Sequence, residues 1–451
     1  MQDCQAQLEQ FMPAALTGSV TSTTGAMLTV AGLPAPVGSL VEVERQTGSS
    51  LKGEVVGFRD DATLVYPLEL LSGVRRGNRV HLRRTTASLR VGDALLGRVV
   101  DAQGRAIDQR PQPVLPFRVR FDQRPVLATE RPRIDTPLCT GIRSIDGLLT
   151  CGRGQRMGIF SGSGVGKSVT LGMMARYTAA DITVIALIGE RGREVNEFVQ
   201  RDLGAEGLKR SVVVVATSDD PAILRVRAAW TATAIAEYFR EQGRDVLLVM
   251  DSLTRFALAQ REIGLAAGEP PTTRGYPPSV FALLAKLVER AGRTSRGSIT
   301  AFYSVLVEGD DPQEPISDAV RGLLDGHTWL SRKLAARGHY PAVDVLESIS
   351  RLMSEMVDKE HLVAARRLRE LLSAYRDHED LISIGAYRRG SNPLVDAAID
   401  LRTAIDAYLQ QGTTQTSTLN QSREGLLRLI AQADARPTSA AAVATPASAT
   451  G

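Results

Sequence analysis

The sequence predicts an α/β protein in which a mostly parallel sheet follows a small all-β domain and precedes a helical one. Up to about residue 92, short β-type runs alternate with turn signals such as Gly38-Ser39. From about residue 155, apolar runs are separated by intervals that can each hold a crossover helix, as in parallel sheets with helices on both faces. After Arg351, apolar residues recur at spacings of three and four, the period of one helix face.

Individual strands follow from the first two patterns. In the first domain, residues 26–30, 40–43, 53–58 and 62–66 are predicted strands of a small barrel or sandwich. The parallel sheet is predicted from residues 157–160, 182–188, 212–215, 246–250 and 299–305. No internal repeat accompanies these elements, so a repeat architecture is not expected.

Two helices are predicted in the last part of the chain. The first carries one apolar face, formed by Leu362, Ala365, Leu368, Leu372 and Tyr375. The second is expected to begin at Asn392-Pro393, a capping residue followed by proline, and to end at Gly412. Its apolar positions are Leu394, Ala398, Ile405 and Leu409. Residues 413–421 are predicted to be a polar linker, and residues 436–451 a disordered Ala/Thr/Ser/Pro-rich tail.

The composition argues against several classes of protein. Of the 451 residues, 43% are apolar and 23% charged, which is typical of a folded chain. The chain has no apolar run of about 18 residues that would span a membrane, and its start does not resemble a secretory signal. Three widely spaced cysteines fit a reducing cytoplasm better than a disulfide framework or a zinc site. The formal net charge of +4 gives no argument for nucleic acid.

A phosphate-binding loop is predicted where an apolar run meets a helical one. The segment Ser161-Gly162-Ser163-Gly164-Val165-Gly166-Lys167-Ser168 fits the template G-x-x-x-x-G-K-[ST], except that serine replaces the first glycine. Glycines let backbone amides converge on phosphate oxygens, and the following helix directs its positive end at them. Lys167 is expected to reach the β- and γ-phosphates and Ser168 to ligate Mg²⁺. Val169 completes the predicted nucleotide-binding segment. The alternative interpretation of the whole segment is a glycine-rich turn with an exposed lysine.

Two carboxylates are candidates for the metal and the water. Asp251 ends the apolar run 246–250, and a P-loop enzyme needs an aspartate there to orient the water shell of its metal. Glu190 follows the run 182–188, at the strand edge where this kind of fold binds ligands. We expect Glu190 to activate water, with Arg191 nearby to hold charge. From the local pattern alone, a solvated loop of alternating charge is an equally good interpretation of residues 189–194.

Longer motifs resemble the catalytic subunits of rotary ATP synthases and their relatives. They are Gly-Glu-Arg-Gly-Arg-Glu at 189–194, His-Tyr-Pro-Ala-Val-Asp at 339–344 and Ser-Ile-Ser-Arg at 348–351. Further matching segments are residues 150–160, 251–256, 268–272, 275–281 and 307–311. Among these relatives the chain is most similar to the type III secretion ATPases, and within them to the flagellar export ATPases. The resemblance extends from the β-rich start to about Gly412.

The resemblance implies a role for each matching residue. Glu190 corresponds to the catalytic carboxylate of the family, and Arg255, just after the metal aspartate, lies near the phosphates. Tyr340 corresponds to the position that packs on the adenine ring, although a loop tyrosine is more often a packing residue. Arg351 corresponds to an arginine finger from the neighbouring subunit, which neutralises charge developing on the transferred phosphoryl group. Without the resemblance, Arg351 would be interpreted as part of a surface salt bridge.

The resemblance also implies an architecture and a set of partners. The P-loop ATPase domain at 93–358 would be a RecA-like core. A β-barrel at 18–92 would precede it and a helical domain at 359–434 would follow it. An extension at 1–17 and a disordered tail at 435–451 would form the two ends. The family forms homohexameric rings that couple ATP hydrolysis to chaperone release and protein export. Its members lie in the cytoplasm at the inner face of the cytoplasmic membrane. Expected partners are a dimeric regulator at the N-terminus, a central stalk protein, export gate membrane proteins and chaperone–cargo complexes.

Two segments have open interpretations. Leu8, Phe11, Met12 and Ala15 would share a helical face and dock the regulator, but Pro13 counts against a regular helix. Six arginines lie between Arg75 and Arg90. They fit a solvated barrel face or, alternatively, a surface for an acidic partner or an anionic membrane. Single-stranded RNA is disfavoured, because few aromatic residues are present there for base stacking.

Three alternatives to a flagellar export ATPase are considered. The first is the ATPase of an injectisome, which shares the same motifs. The second is an RNA-translocating ring motor of the same fold, for which no nucleic-acid signal is found in the first domain. The third is a non-catalytic nucleotide-binding subunit, which does not require Lys167, Glu190, Asp251 and Arg351 all to be retained.

Overall fold

A computed structural model describes residues 16–434 except Thr47, Arg124 and Pro312. The proposed docking face of Leu8, Phe11, Met12 and Ala15 and the tail at 436–451 therefore lie outside the described residues. The chain divides into two compact units. The first contains the described residues up to Arg133, then Gly154–Gly158 and Ala180–Leu324. The second contains Ile134–Arg153, Ile159–Ala179 and the residues from Asp325 onward.

Strands dominate the first part of the chain, and helices dominate the last. The strands are β1 Thr17–Thr24, β2 Met27–Ala31, β3 Leu40–Val43, β4 Leu51–Arg59, β5 Ala62–Pro67, β6 Arg79–Arg84, β7 Ser88–Val91, β8 Arg98–Asp101, β9 Phe117–Arg120, β10 Pro137–Leu138, β11 Cys151–Gly152, β12 Arg156–Ser161, β13 Ile182–Glu190, β14 Ser211–Thr217, β15 Asp245–Asp251, β16 Gly292–Arg293, β17 Ser298–Leu306, β18 Gly326–Leu330 and β19 Val343–Ser350. The α-helices are α1 Arg143–Leu148, α2 Lys167–Tyr177, α3 Gly192–Glu197, α4 Gly204–Lys209, α5 Ala222–Glu241, α6 Leu253–Ala267, α7 Pro278–Val288, α8 Pro315–Leu323, α9 Arg332–Ala336, α10 Met353–Met356, α11 Lys359–Ser383, α12 Pro393–Asp400, α13 Arg402–Leu409 and α14 Leu419–Asp434. A π-helical turn spans Phe198–Leu203, and 3₁₀ turns span Asp93–Leu95, Ala128–Glu130, Thr273–Gly275 and Glu308–Asp310.

The first six strands close into a barrel in the order β1-β2-β5-β4-β3-β6, with β6 pairing back onto β1. Closure removes both sheet edges and leaves one enclosed interior. Alternate residues fill it, as in β4, where Leu51 and Val55 are buried and Lys52 between them is exposed. The predicted barrel is confirmed, and the sandwich alternative is wrong, because strands far apart in sequence pair to complete the ring.

The first unit also contains the parallel sheet that the sequence predicts. Its strand order is β17-β15-β13-β14-β8, and every one of these neighbouring pairs is parallel. Strands β13, β14 and β15 are buried along nearly their whole length, so their sequences are continuous apolar runs. Helix α5 packs against β13 and β15. The parallel arrangement brings the carboxyl ends of these strands to one edge of the sheet.

A fully buried ion pair crosses the interior of the first unit. The side chain of Arg290 is 0% exposed and that of Glu237 3% exposed, with 2.5 Å between Nη2 and Oε2. Arg290 also donates from Nη1 to the Phe121 carbonyl at 2.6 Å, and its guanidinium lies 5.5 Å from the Trp230 ring centre. Each nitrogen of the guanidinium and both oxygens of the carboxylate thus have a hydrogen-bond partner, which is the condition under which a buried charge is tolerated.

Replacing Arg290 with methionine is expected to lower the free energy of unfolding by about 3–5 kcal/mol, because Glu237 would stay buried without its cation. The matched control is Arg296→Met, since Arg296 is 68% exposed and lies 3.6 Å from its partner Glu241. That change should cost at most about 1 kcal/mol. Urea denaturation of the two variants measures both values, and equal losses would contradict the prediction.

In the second unit, helix α1 contacts β19 and the C-terminal helices α11, α13 and α14. Strand β19 pairs antiparallel with β18, and β18 lies beside β12. The apolar face predicted for the first C-terminal helix lies on α11, whose cap Asp358 accepts the His361 amide at 2.8 Å. Asn392 caps α12 as predicted, accepting the Leu394 amide at 3.0 Å. Among the described residues, no helix has the length and apolar character needed to cross a membrane.

Two predictions in this region are wrong. The second C-terminal helix is divided into α12 and α13, because Leu401 has φ −94° and ψ 0°, outside the helical range, and α13 ends at Leu409 rather than at Gly412. The predicted linker 413–421 is too long, because α14 begins at Leu419. Thr418 and Gln421 form a reciprocal capping pair, in which each side chain accepts the other's backbone amide.

Candidate functional site

The predicted phosphate loop connects β12 to α2 in the second unit. Ser161 ends the strand and Lys167 begins the helix. Gly164 and Gly166 have φ values of 78° and 87°, so both occupy the left-handed region that favours glycine. Gly166 is also the N-cap of α2. The backbone amides of the first helical turn therefore lie at the end of the loop, as an anion-binding helix start requires.

The loop residues differ in exposure. Ser161, Gly162 and Val165 are buried, Ser163, Gly164 and Ser168 are exposed, and Gly166, Lys167 and Val169 are half-buried. Ser161 stands where the template has glycine, and its side chain is accommodated at 0% exposure. The departure from the template therefore does not obstruct the open side of the loop. The Ser168 hydroxyl lies at the second position of α2, on the exposed side.

Tyr340 lies beside this loop, although 173 residues of sequence separate it from Lys167 (340 − 167). A Cβ atom added at Gly166 would be 3.2 Å from Tyr340 Cε1. The tyrosine is 46% exposed, precedes a cis proline and accepts the Gln411 amide at its carbonyl at 2.9 Å. A second residue beside the loop is Arg332, whose Nη1 donates to the Ser163 carbonyl at 3.0 Å. The sequence did not predict this contact.

The two predicted carboxylates lie in the first unit, at the ends of neighbouring parallel strands. Asp251 is the last residue of β15 and Glu190 the last residue of β13. In the register of this pair, Asp251 lies opposite Leu187, three positions before Glu190. Both side chains thus occupy the carboxyl edge of the sheet, where the sequence pattern predicts them.

Asp251 is held by a residue that the sequence analysis did not identify. The carboxylate is 2% exposed, and its Oδ1 accepts the Ser304 hydroxyl at 2.6 Å. Ser304 lies on β17, the neighbour of β15, and is fully buried. A lone serine within the apolar run 299–305 was the signal available in the sequence. The hydrogen bond fixes the orientation of the aspartate at the strand end.

Arg255 and Glu190 are brought together through Gly189. Ser252 caps α6 by accepting the Arg255 amide at 3.3 Å, which places Arg255 in the first turn of the helix. Gly189 has φ 68°, and a Cβ atom added there would lie 3.2 Å from Arg255 Cβ. The arginine side chain therefore passes directly over the residue before Glu190. Arg191 differs, because its side chain is 82% exposed and lies 3.7 Å from Glu194.

Arg351 follows β19 in the second unit. Its backbone amide donates to the Asp325 carbonyl at 3.1 Å, and the residue is exposed. Within the described part of the chain, its guanidinium has no ion pair, so the salt-bridge interpretation of Arg351 finds no support there. The position is compatible with contact to another molecule.

Comparisons with known proteins agree with this description. The model of the ATP synthase alpha/beta family nucleotide-binding domain matches residues 141–350, and the model of the family's beta-barrel domain matches residues 20–82. The model of the T3SS EscN ATPase C-terminal domain matches residues 357–428. All three segments of the predicted architecture are therefore represented.

Two relatives and one solved structure indicate the branch of the family. The flagellum-specific ATP synthase of Bacillus subtilis is 52% identical over 91% of this chain and 94% of its own length. The type 3 secretion system ATPase of Xanthomonas euvesicatoria is 52% identical over 90% of this chain and 92% of its own length. The assembled ATPase EscN of enteropathogenic E. coli superposes with a TM-score of 0.88 at 46% identity, covering 92% of this chain and 100% of EscN. The chain therefore belongs to the ATP synthase alpha/beta family, in the branch of flagellum-specific ATP synthases and type III secretion ATPases.

Proposed function

We propose that this chain hydrolyses ATP with Mg²⁺ and that hydrolysis drives type III protein export at the flagellum. The observation that carries the proposal is the loop from Ser161 to Ser168, with two left-handed glycines at the start of α2 and Tyr340 beside it. Such a loop binds a triphosphate through converging backbone amides. An aromatic ring next to it suits a nucleotide base.

Within the second unit, Lys167 is assigned to the β- and γ-phosphates and Tyr340 to the adenine ring. Both side chains are partly exposed to solvent: Lys167 has intermediate exposure, and Tyr340 is 46% exposed. The Lys167 ammonium supplies positive charge where the phosphoryl oxygens become more negative during transfer. Arg332, through its bond to the Ser163 carbonyl, supports the exposed part of the loop.

The chemistry of two oxygen-bearing side chains, one in each unit, supports Mg²⁺ as the bound ion. Mg²⁺ prefers hard oxygen ligands and takes only one or two from protein, the rest being water and phosphate oxygens. The Ser168 hydroxyl and the Asp251 carboxylate are ligands of this kind, and Asp251 is fixed by Ser304 at 2.6 Å. The described residues contain no cluster of three or more His, Cys, Asp or Glu side chains that could hold a metal by themselves. The bound ion would neutralise charge on the β- and γ-phosphates.

Hydrolysis needs a group that orients water. Glu190 is assigned this role, because it is half-buried at the carboxyl edge of β13 and can accept a hydrogen bond from water. Arg255, which packs over Gly189, is assigned to the developing charge near the phosphates. Arg191 contributes to the same electrostatic field from an exposed position.

Arg351 is assigned to the active site of a neighbouring copy of the chain. An exposed guanidinium without an ion pair in the described chain supports this assignment, because an arginine finger must be free to contact a neighbour. Catalysis would then require a ring, and we propose a homohexamer. EscN was solved in an assembled state and also in complex with its central stalk EscO, with a TM-score of 0.85 in the complex. We propose a stalk protein as a partner here as well.

The wider role is proposed by analogy with the flagellar relatives. It comprises chaperone release, contacts with export gate membrane proteins and with a dimeric regulator, and a position at the inner face of the cytoplasmic membrane. The flagellar and injectisome relatives are equally similar, at 52% identity each. The choice of the flagellum therefore rests on the Gly162-Ser163-Gly164 form of the loop.

Two experiments test this proposal. The purified chain should release phosphate from ATP, and EDTA should abolish the release. Expression in a Bacillus subtilis strain that lacks its flagellum-specific ATP synthase should restore motility, whereas expression in an injectisome ATPase mutant should not restore effector secretion. Restoration of secretion without motility would assign the chain to an injectisome, and turnover that depends on added RNA would contradict both assignments.

Replacing Ser304 with alanine is expected to weaken the apparent Mg²⁺ affinity by about 10–100-fold, because the buried Asp251 carboxylate loses the bond that orients it. Activity at saturating Mg²⁺ should largely recover. The measurement is ATP turnover as a function of free Mg²⁺. Ser298→Ala serves as the control, since Ser298 lies on the same strand and bonds to Asp245 at the opposite end of β15. A loss that no Mg²⁺ concentration restores would contradict this role.

A further inference from the structure

A polar pocket of about 370 Å³ lies in the second unit, between the start of α1 and the segment from α13 to α14. It is lined by Arg143, Tyr408, Gln411, Gln415, Gln421 and Arg428, among others. No residue of the predicted phosphate loop lines it. The pocket is therefore separate from the nucleotide site proposed above.

The charge of the pocket has one sign. Among the described residues, two guanidinium groups line it and no aspartate or glutamate does. Arg143 is held rigidly by backbone carbonyls, donating to Ala407 at 3.0 Å, to Tyr408 at 2.6 Å and to Gln410 at 2.7 Å. The acceptors of its side chain in the described part of the structure are therefore neutral. The positive charge of Arg143 is fixed in place without a carboxylate to neutralise it.

Arg428 adds a second charge that the described residues leave unneutralised. It is exposed, and it donates from Nε to the Glu424 carbonyl, within its own helix, at 3.3 Å. Arg423 on the same helix shows the contrast, because it pairs with Asp358 at 2.8 Å and with Glu360 at 2.6 Å. Arg423, which does not line the pocket, therefore has carboxylate partners, whereas the two arginines that line it have none in the described part of the chain.

The two neighbouring amide side chains present donors. Gln421 accepts the Thr418 amide at 2.9 Å, and Gln415 accepts the Gly412 amide at 3.0 Å. A backbone N–H can bond only to the oxygen of each side-chain amide, which fixes the assignment of oxygen and nitrogen. The NH₂ groups of Gln415 and Gln421 are thus the parts of these side chains that are left to donate to a ligand. The lining consequently combines two cations with neutral donors, the combination that binds oxyanions.

We propose that this pocket is a binding site for a phosphate group. The shared chemistry is a tetrahedral oxyanion that accepts from Arg143, Arg428 and the glutamine amides. Inorganic phosphate or pyrophosphate and the phosphate tail of a nucleotide are two sources of that group. Gln411 joins the pocket to its surroundings, since its buried side chain accepts the Arg143 amide at 2.9 Å and donates to the Gly141 carbonyl at 2.8 Å. An anion here would hold the segment between α13 and α14 in place.

The test uses the full chain with Lys167→Ala, so that phosphate binding at the predicted loop is suppressed. Isothermal titration with pyrophosphate should reveal one saturable site per chain. Hydrogen exchange should slow within residues 408–421 when the site is filled. Adding Arg428→Gln should weaken pyrophosphate binding by at least about tenfold, the effect of losing a charge-assisted bond. Arg366→Gln is the matched control, because Arg366 is an exposed arginine on α11 that does not line the pocket.

Among the described residues, Arg428 bonds only within its helix, so the Arg428→Gln chain should fold and its circular dichroism should match that of its parent. Competition by ADP against pyrophosphate would identify a nucleotide tail as a ligand, and its failure would restrict the site to free phosphates. The proposal is overturned if pyrophosphate shows no saturable binding. It is equally overturned if Arg428→Gln binds as tightly as its parent or if Arg366→Gln weakens binding to the same extent.

Discussion

Replacing Glu190 with glutamine is expected to lower the kcat for ATP by about 10²–10⁴-fold while the affinity for ATP stays within a few-fold of the parent. Glutamine keeps the size of the side chain and one carbonyl oxygen, but it cannot accept a proton from the attacking water. Steady-state phosphate release gives kcat, and equilibrium binding of a fluorescent ATP analogue gives the affinity. A loss confined to kcat is the signature of a group that acts in the transition state.

The control for this experiment is Glu194→Gln. Glu194 belongs to the same charged segment, but it lies on α3 and its nearest cation is the 82% exposed Arg191 at 3.7 Å. Changing it removes the same charge from the same neighbourhood, and kcat should remain close to that of the parent. If both variants lose activity equally, activity depends on the total negative charge of residues 189–194 and Glu190 has no specific role. If neither loses activity, another group must orient the water.

The features that could be predicted from the sequence are local ones. The phosphate loop has a fixed spacing, because the glycines, Lys167 and Ser168 act within one turn and the start of one helix. The strands β13, β14 and β15 are buried on both faces, so each appears as a continuous apolar run. Helix α12 carries its own cap signal in Asn392-Pro393. Each of these patterns is complete within a few residues.

The features that the local pattern left open or missed depend on partners distant in sequence. Barrel closure requires β1 to pair with β6, and nothing within either strand distinguishes a barrel from a sandwich. Ser304 is significant only because β17 lies beside β15, which places its hydroxyl 2.6 Å from Asp251. Arg332 is comparable, because its contact with the Ser163 carbonyl joins residues 169 positions apart. Neither residue belongs to a motif, so spacing along the chain could not identify them.

Helix α14 is a different kind of miss. Its signal was local, since Thr418 and Gln421 have the spacing of a capping box and the apolar residues that follow recur at helical intervals. The polar composition of residues 413–421 predicts a linker, and that prediction takes no account of the capping pair. The break at Leu401 has no such signal, because leucine favours helices and the residue is only 1% exposed. The Leu401 side chain is buried in the folded chain where the backbone leaves the helical conformation, and the local sequence does not indicate that burial.

Replacing Arg351 with alanine is expected to lower ATP turnover by about 10³-fold or more, because an arginine finger contributes 10³–10⁵-fold to phosphoryl transfer. ATP binding and ring assembly should be retained, since Arg351 is exposed and its described contact is a backbone bond to the Asp325 carbonyl. Arg351→Lys should restore little activity, because a single ammonium does not reproduce the planar fork of the guanidinium. Turnover, sedimentation and thermal melting give the three measurements.

Mixing two inactive chains tests whether Arg351 acts across the subunit interface. A chain with Arg351→Ala keeps its own Lys167, and a chain with Lys167→Ala keeps its own Arg351. In a head-to-tail ring assembled at random from equal amounts, about a quarter of the interfaces would pair an intact phosphate loop with an intact arginine. Activity should therefore reappear on mixing, although each chain alone is inactive. If Arg351 acted within its own subunit, every active site would lack one of the two groups and the mixture would stay inactive. Full activity of the Arg351→Ala chain alone would exclude an arginine finger altogether.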